Sequence, residues 1–202
     1  MGFELLQEKE FLIFTTKDFA CVSQKSLSSA SKQLKRWQKR GVLHQITRGI
    51  WANTRHPHFS IYSLVPFLLG HNQGYISLLT ALHLNGMISQ IPRTVQVVTT
   101  GFPRKLRTPI GDFEFFKMKP EMHRSGMHWS ESKIPYRIAG PEKALLDVIY
   151  LSTRKGNRFK HLPEIEFPKG FKKRTFYTLM ENQIQSLRIK GAMRTYAGRL
   201  LA

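Results

Sequence analysis

Toward the amino terminus the apolar positions change their period twice. From Phe3 to Glu10, Phe3, Leu6 and the following Phe11 can share one side, which predicts a short helix. The run Phe11 to Phe14 is too short and too apolar for an amphipathic helix. It reads as a buried connection or short strand leading to Thr15 or Thr16 as an N-cap. A second short helix is expected from Lys17 to about Val22, carrying Phe19, Ala20 and Cys21 inward. The segment SQKS is a turn by composition, and Ser26 or Ser28 can cap a third helix that reaches Arg40 and is stopped by Gly41. Its apolar residues Leu27, Ala30, Leu34 and Trp37 recur at helical spacing and predict one buried face. After it, VLHQITRGIWAN reads as two short strands joined by Thr47, Arg48 and Gly49, with Val42, Ile46, Ile50 and Trp51 supplying the β-branched and aromatic character of strands.

Farther along, TRHPHFS forms a plausible seam, and the composition then shifts. Ser77 can cap a helix carrying Leu78, Leu79, Ala81, Leu82 and Leu84, with Gly86 at its end. TVQVVTTG, FEFFKMK and KIPYRIAG are expected to form three short strands. PEKALLDVIYLSTRKG places Pro141 in a first helical turn and Glu142 near the positive end of the helix, and buries Ala144, Leu145, Val148 and Ile149. From Phe171 to Ala202 the chain is again helical and strongly basic, and two helices separated near Lys190 and Gly191 are expected. The expected fold class is α+β. An amino-terminal winged helix-turn-helix over residues 1–55 precedes a mixed α/β domain over 60–202, with a small sheet and a basic helical tail.

Charge gives this outline a direction. The 202 residues carry 32 Lys and Arg against 13 Asp and Glu, a formal net charge of +19. Such a surplus repels itself unless a polyanion is the partner, and nucleic acid is the commonest one. A membrane surface is the competing polyanion, but membrane binders concentrate their cations on one amphipathic helix or beside a lipid anchor, whereas here they run from Lys9 to Arg199. The single cysteine, Cys21, excludes an intrachain disulfide and fits a reducing compartment. The amino terminus has charges where a signal peptide needs an apolar run, and no stretch reaches the length of a membrane span, so a cytoplasmic protein is expected.

The third helix concentrates the charge signal. Opposite its apolar stripe lie Ser28, Ser29, Lys32, Gln33, Lys35, Arg36, Lys39 and Arg40, with no acidic residue among them. An ordinary solvated helix mixes signs for pairing and solubility. In a winged helix-turn-helix this helix is offered to the major groove while the hairpin tip reaches the neighbouring backbone. Lys32, Lys35 and Arg36 are then placed for phosphates, and Ser28, Ser29 and Gln33 for base edges, glutamine being suited to adenine. Thr47 and Arg48 at the hairpin tip complete the expected DNA contacts. Trp37 and Trp51 fall in apolar stripes and are expected to pack in the core.

In the order and spacing of GVLHQITRGIWAN, YISLLTALHLNGMISQIPRTVQVVTT and PEKALLDVIY, the chain resembles the AbiEi antitoxin family, transcriptional regulators of abortive-infection systems. The resemblance extends over most of the chain up to about Tyr150. It implies a winged helix that represses its own operon on double-stranded operator DNA, and a carboxy-terminal domain needed for antitoxicity. The cognate toxin is similar to a nucleotidyltransferase, and antagonism without a stable complex between the two is implied.

Enzyme readings lack parts. Asp18, Asp112 and Asp147 are the only aspartates, few for a two-metal site. Asp112 and Glu114 share one face of a strand, but Lys117 falls on the opposite face from them. Glu142 and Asp147 are five apart and do not stack, and His123 and His128 are expected in loops without further metal-ligand residues. Phosphate-loop, dinucleotide and nucleophile-elbow motifs are absent, so no cofactor, metal or catalytic residue is expected. A nucleic-acid-processing enzyme or an RNA-binding module with an amino-terminal docking domain is the alternative.

Overall fold

The computed structural model describes residues 11–154, 159 and 162–201. The expected helix over Phe3 to Glu10 lies outside them. Among the described residues the protein is mixed α and β, with seven α-helices and nine strands in two sheets.

The first sheet is built early. Phe11 to Phe14 are buried, and β1 (Ile13–Thr15) pairs antiparallel with β3 (Ile50–Ala52), which also pairs with β2 (His44–Thr47) to give the order β1-β3-β2. Thr15 caps α1 (Thr16–Val22) by a capping box. Its hydroxyl accepts from the Asp18 amide at 3.2 Å, and the Asp18 carboxylate accepts from the Thr15 amide at 2.7 Å. Ser26 caps α2 (Leu27–Lys39), and Gly41 continues beyond its end at φ +67, a conformation glycine tolerates. Strand β2 begins at His44 rather than at the expected Val42, and Arg48 and Gly49 (φ +85) make the turn to β3. Phe11, Phe14, Phe19, Ala20, Ala30, Leu34, Trp37, Leu43 and Trp51 form one apolar cluster here. Two expected inward residues are on the surface: Cys21 is exposed, and Leu27 is 54% exposed. Each sits at an end of its helix, where the stripe has run past the partner that would cover it.

The second sheet has six strands in the order β6-β7-β5-β4-β9-β8. It is larger than the expected three-strand sheet. The expected runs correspond to β5 (Thr94–Thr99), β7 (Gly111–Lys117) and β9 (Arg137–Ala139), while β4 (Gly74–Ile76), β6 (Arg104–Thr108) and β8 (Met127–Trp129) were not expected. β5 and β7 run parallel with Thr94 opposite Asp112, and β6 folds back antiparallel on β7.

Helix α3 (Val65–Leu69) precedes β4, and α4 (Leu78–Leu84) follows it. The first turn of α4 is capped from the sheet, where Gln96 Oε1 accepts from the Leu79 amide at 2.9 Å. Helix α5 (Pro141–Ser152) is buried from Lys143 to Tyr150 and packs against α4, α6 (Lys173–Gln183) and α7 (Leu187–Leu201). The tail breaks at residues 184–186 rather than at Lys190 and Gly191. Ile184 turns inward to 4% exposure, and Gly191 stays inside α7, where the Lys190 amide already donates to the Ser186 carbonyl. Ile13, Ile46 and Ala52 of the first sheet belong to the same apolar core as the second.

Candidate nucleic-acid interface

Between α2 and the β2–β3 turn lies an open groove of about 830 Å³. One row of α2 forms a wall: Leu27, Ser31 and Lys35 are four residues apart and therefore stack along one side of the helix. Gln45, Arg48, Gly49 and Ile50 form the facing wall, and Thr15, Thr16 and Lys17 border it from the start of α1. Trp51 also borders the groove, yet it is 1% exposed and its indole donates to Thr16 Oγ1 at 2.9 Å, so it packs rather than projects. Trp37 is likewise buried.

Among the described residues, the groove walls hold three cations, Lys17, Lys35 and Arg48, and no acid. The nearest acid in sequence, Asp18, is engaged in the capping box. Beyond it the chain has neither Asp nor Glu until Asp112. Cations crowded without local counter-charges create a positive potential that a phosphate chain can relieve.

Of the residues expected at this surface, Lys35 and Arg48 line the groove. Ser28, Lys32 and Arg36 are exposed on the adjoining row of α2, outside the groove walls. Ser29 is exposed but tied to the cap: its amide donates to Ser26 Oγ at 3.2 Å and its hydroxyl accepts from the same atom at 3.0 Å. Gln33 is half-buried and its amide oxygen accepts from Lys25 Nζ, which restrains it as a base reader. Thr47 is half-buried at the end of β2. Lys17, Ser31 and Gln45 were not anticipated. The four-residue spacing from Lys35 back to Ser31 was available in the sequence, whereas the approach of Lys17 and Gln45 depends on how three strands pair.

Elsewhere several charged residues are paired within the fold. Lys143 and Asp147 are fully buried and joined at 2.5 Å, and Asp147 also accepts from Ser77 Oγ at 2.7 Å and Tyr75 Oη at 2.9 Å. Burial pushes the Asp147 carboxyl up and the Lys143 ammonium down, and the ion pair opposes both shifts. Burial, then the Asp147 charge, pushes the Tyr75 hydroxyl well up. The relevant partner of Asp147 is thus Lys143, one helical turn away, rather than Glu142. Glu142 stands in the first turn of α5, and it also accepts from the Lys172 amide at 2.7 Å.

His123, expected in a loop, is buried in a 3-10 turn (Pro120–His123) with its ring edge-on to Tyr75 at 5.2 Å. Burial first, and then the Lys143 charge, hold its pKa down at about 4. His128 lies exposed in β8 rather than in a loop. On β7, Glu114 pairs with Lys105 at 3.5 Å, while Lys117 leaves by the other face and lies over the Phe102 ring. Among the described residues no group of three or more His, Cys, Asp or Glu is placed to hold a metal ion, and no helix is long and apolar enough to cross a membrane.

Comparison with protein-family models and with curated proteins finds no match to this chain. What the surface can do therefore rests on its geometry.

Proposed function

We propose that this protein is a sequence-specific DNA-binding transcriptional repressor that grips operator DNA through residues 11–55, acting as a winged helix-turn-helix. The observation that carries the proposal is the groove in which Lys17, Lys35 and Arg48 gather about one row of α2, with no acid among the described residues that line it. The order β1, α1, α2, β2, β3 supports it, because such an order presents α2 to a major groove while the β2–β3 turn reaches the backbone beside it. Lys32 and Arg36 extend the phosphate contacts, and Ser28 lies toward base edges on the exposed row. One such unit covers few base pairs, so two copies on repeated half-sites are proposed.

The resemblance to AbiEi antitoxins extends this reading. On it, the protein is a cytoplasmic, non-enzymatic autoregulator of a toxin-antitoxin operon in phage defence. Its partner in function is a nucleotidyltransferase-like toxin, opposed without a stable complex.

The test is binding to the duplex upstream of its own gene against a scrambled duplex of equal length, across a salt series. A preference of roughly a thousandfold or more supports a specific regulator. Weakened binding by Lys35→Ala and Arg48→Ala places the site at the groove. Equal, steeply salt-dependent affinity for both duplexes, or preference for RNA, overturns the proposal.

A further inference from the structure

The groove contains one residue that charge does not explain. Leu27, first residue of α2, is 54% exposed, although the other apolar residues of its stripe, Ala30, Leu34 and Trp37, are at most 6% exposed. It does not stand on a free outer surface. It lies in the groove wall with Ser31 and Lys35, among otherwise polar and cationic neighbours, with Ile50 as the apolar residue of the opposite wall. A solvated apolar side chain in a phosphate-attracting groove gains by meeting an apolar group there.

We infer that Leu27 is a base-reading residue that packs on a thymine methyl in the major groove; the inference rests on the DNA-binding proposal above. The major groove displays one apolar group, the C5 methyl of thymine. Residues at the amino-terminal end of a recognition helix are the ones that reach base edges. Leu27 occupies that end, and Lys35 lies eight residues farther on, a rise of about 12 Å along the axis. That rise exceeds the depth of the major groove, about 8.5 Å, so a helix entering by its amino-terminal end can bring Leu27 to the base edges while Lys35 stays level with the backbone. With Lys35 and Arg48 at the backbone, Leu27 is left at the floor. The neighbouring Ser29 hydroxyl is already bonded to Ser26, so methyl contact by Leu27 supplies discrimination that Ser29 does not.

The occupant is assigned from charge. A second copy of this chain would bring its own cations against Lys17, Lys35 and Arg48, whereas a duplex brings phosphates.

The full chain is used to enrich duplexes from a random-sequence pool, and each thymine of the enriched duplex is then replaced singly by deoxyuridine, which removes only the methyl. The expected result is one thymine per half-site whose methyl is worth about fourfold in affinity, the effect of burying one such group. Leu27→Ala should weaken binding to the thymine duplex more than to that deoxyuridine duplex, so that methyl sensitivity is lost, while Leu27→Met retains it. The inference is overturned if no thymine is sensitive, or if the sensitive one remains so in Leu27→Ala. It is also overturned if Leu27→Ala changes the mass in solution and not the discrimination, since Leu27 then serves a second copy. In those cases an enriched duplex still leaves the DNA-binding reading intact. Failure to enrich any duplex defeats both.

Discussion

Lys35 and Lys143 are both helical lysines, one in α2 and one in α5, and they meet opposite surroundings. Lys143 is fully buried against Asp147, whose oxygens are also held by Ser77 and Tyr75. Lys35 is exposed in a groove with two more cations and, among the described residues, no carboxylate. A buried cation must find its counter-charge within the fold, because leaving it unpaired in low dielectric is costly. An exposed one has water as an alternative, so a crowd of them without acids is not demanded by folding. The contrast separates charge that holds the protein together from charge offered outward.

The largest expected effect tests the inward half of that contrast. Lys143→Met leaves the Asp147 carboxylate buried without its cation and should cost about 3–5 kcal/mol in urea unfolding. Lys143→Met with Asp147→Leu should recover most of this. A loss in the double variant equal to the sum of the losses from Lys143→Met and Asp147→Leu alone would show that the two residues are not energetically coupled.

Next comes His123, which faces the same cluster. Its imidazole is held down to about 4 from an ordinary 6.5, so between those values the unfolded chain binds the extra proton and the folded one does not. Stability is therefore fully present above pH 6.5 and falls as the pH drops toward 4. Unfolding midpoints across this window should show the slope in the wild type and a shallower one in His123→Phe. A slope unchanged by the substitution would move its origin elsewhere.

The outward half is tested by salt. Lys35→Ala and Arg48→Ala should each lower the salt slope of duplex binding by about one. Lys105→Ala, which removes a cation already paired with Glu114, should leave it unchanged. If all three behave alike, net charge and not the groove attracts the duplex. The smallest effect is expected at the cap. Thr15→Ala opens the box at the start of α1 and should cost about 1 kcal/mol in thermal unfolding.

The outline of residues 11–60 was legible because its signals are local. Thr15 and Ser26 are side chains whose capping needs only their own helix, and Gly41 and Gly49 announce their turns. The second sheet was half legible. β5 and β7 are β-branched or aromatic runs, but β6 reads RKLRT, and its place is decided by pairing with β7 and by Arg104 lying 4.1 Å from the Phe115 ring centroid. At the groove, the charge of α2 was plain, whereas the withdrawal of Ser29 and Gln33 into bonds with Ser26 and Lys25 was not. The four-residue spacing of Lys143 and Asp147 is visible in the sequence, but their joint burial, which makes the pair obligatory, depends on how α5 is packed. Periodicity places Leu27 on the buried stripe. Only the end of the helix core tells that nothing covers it.

The edge position of β6 carries a consequence for how copies of the protein meet. An open edge strand offers unpaired backbone groups to any second strand. Here Arg104, Lys105 and Arg107 stand along that edge. Two molecules aligning there would bring cation against cation, so the sheet resists growth by edge-to-edge stacking. At low ionic strength this mutual repulsion favours dispersed molecules, and added salt, by screening it, weakens that protection.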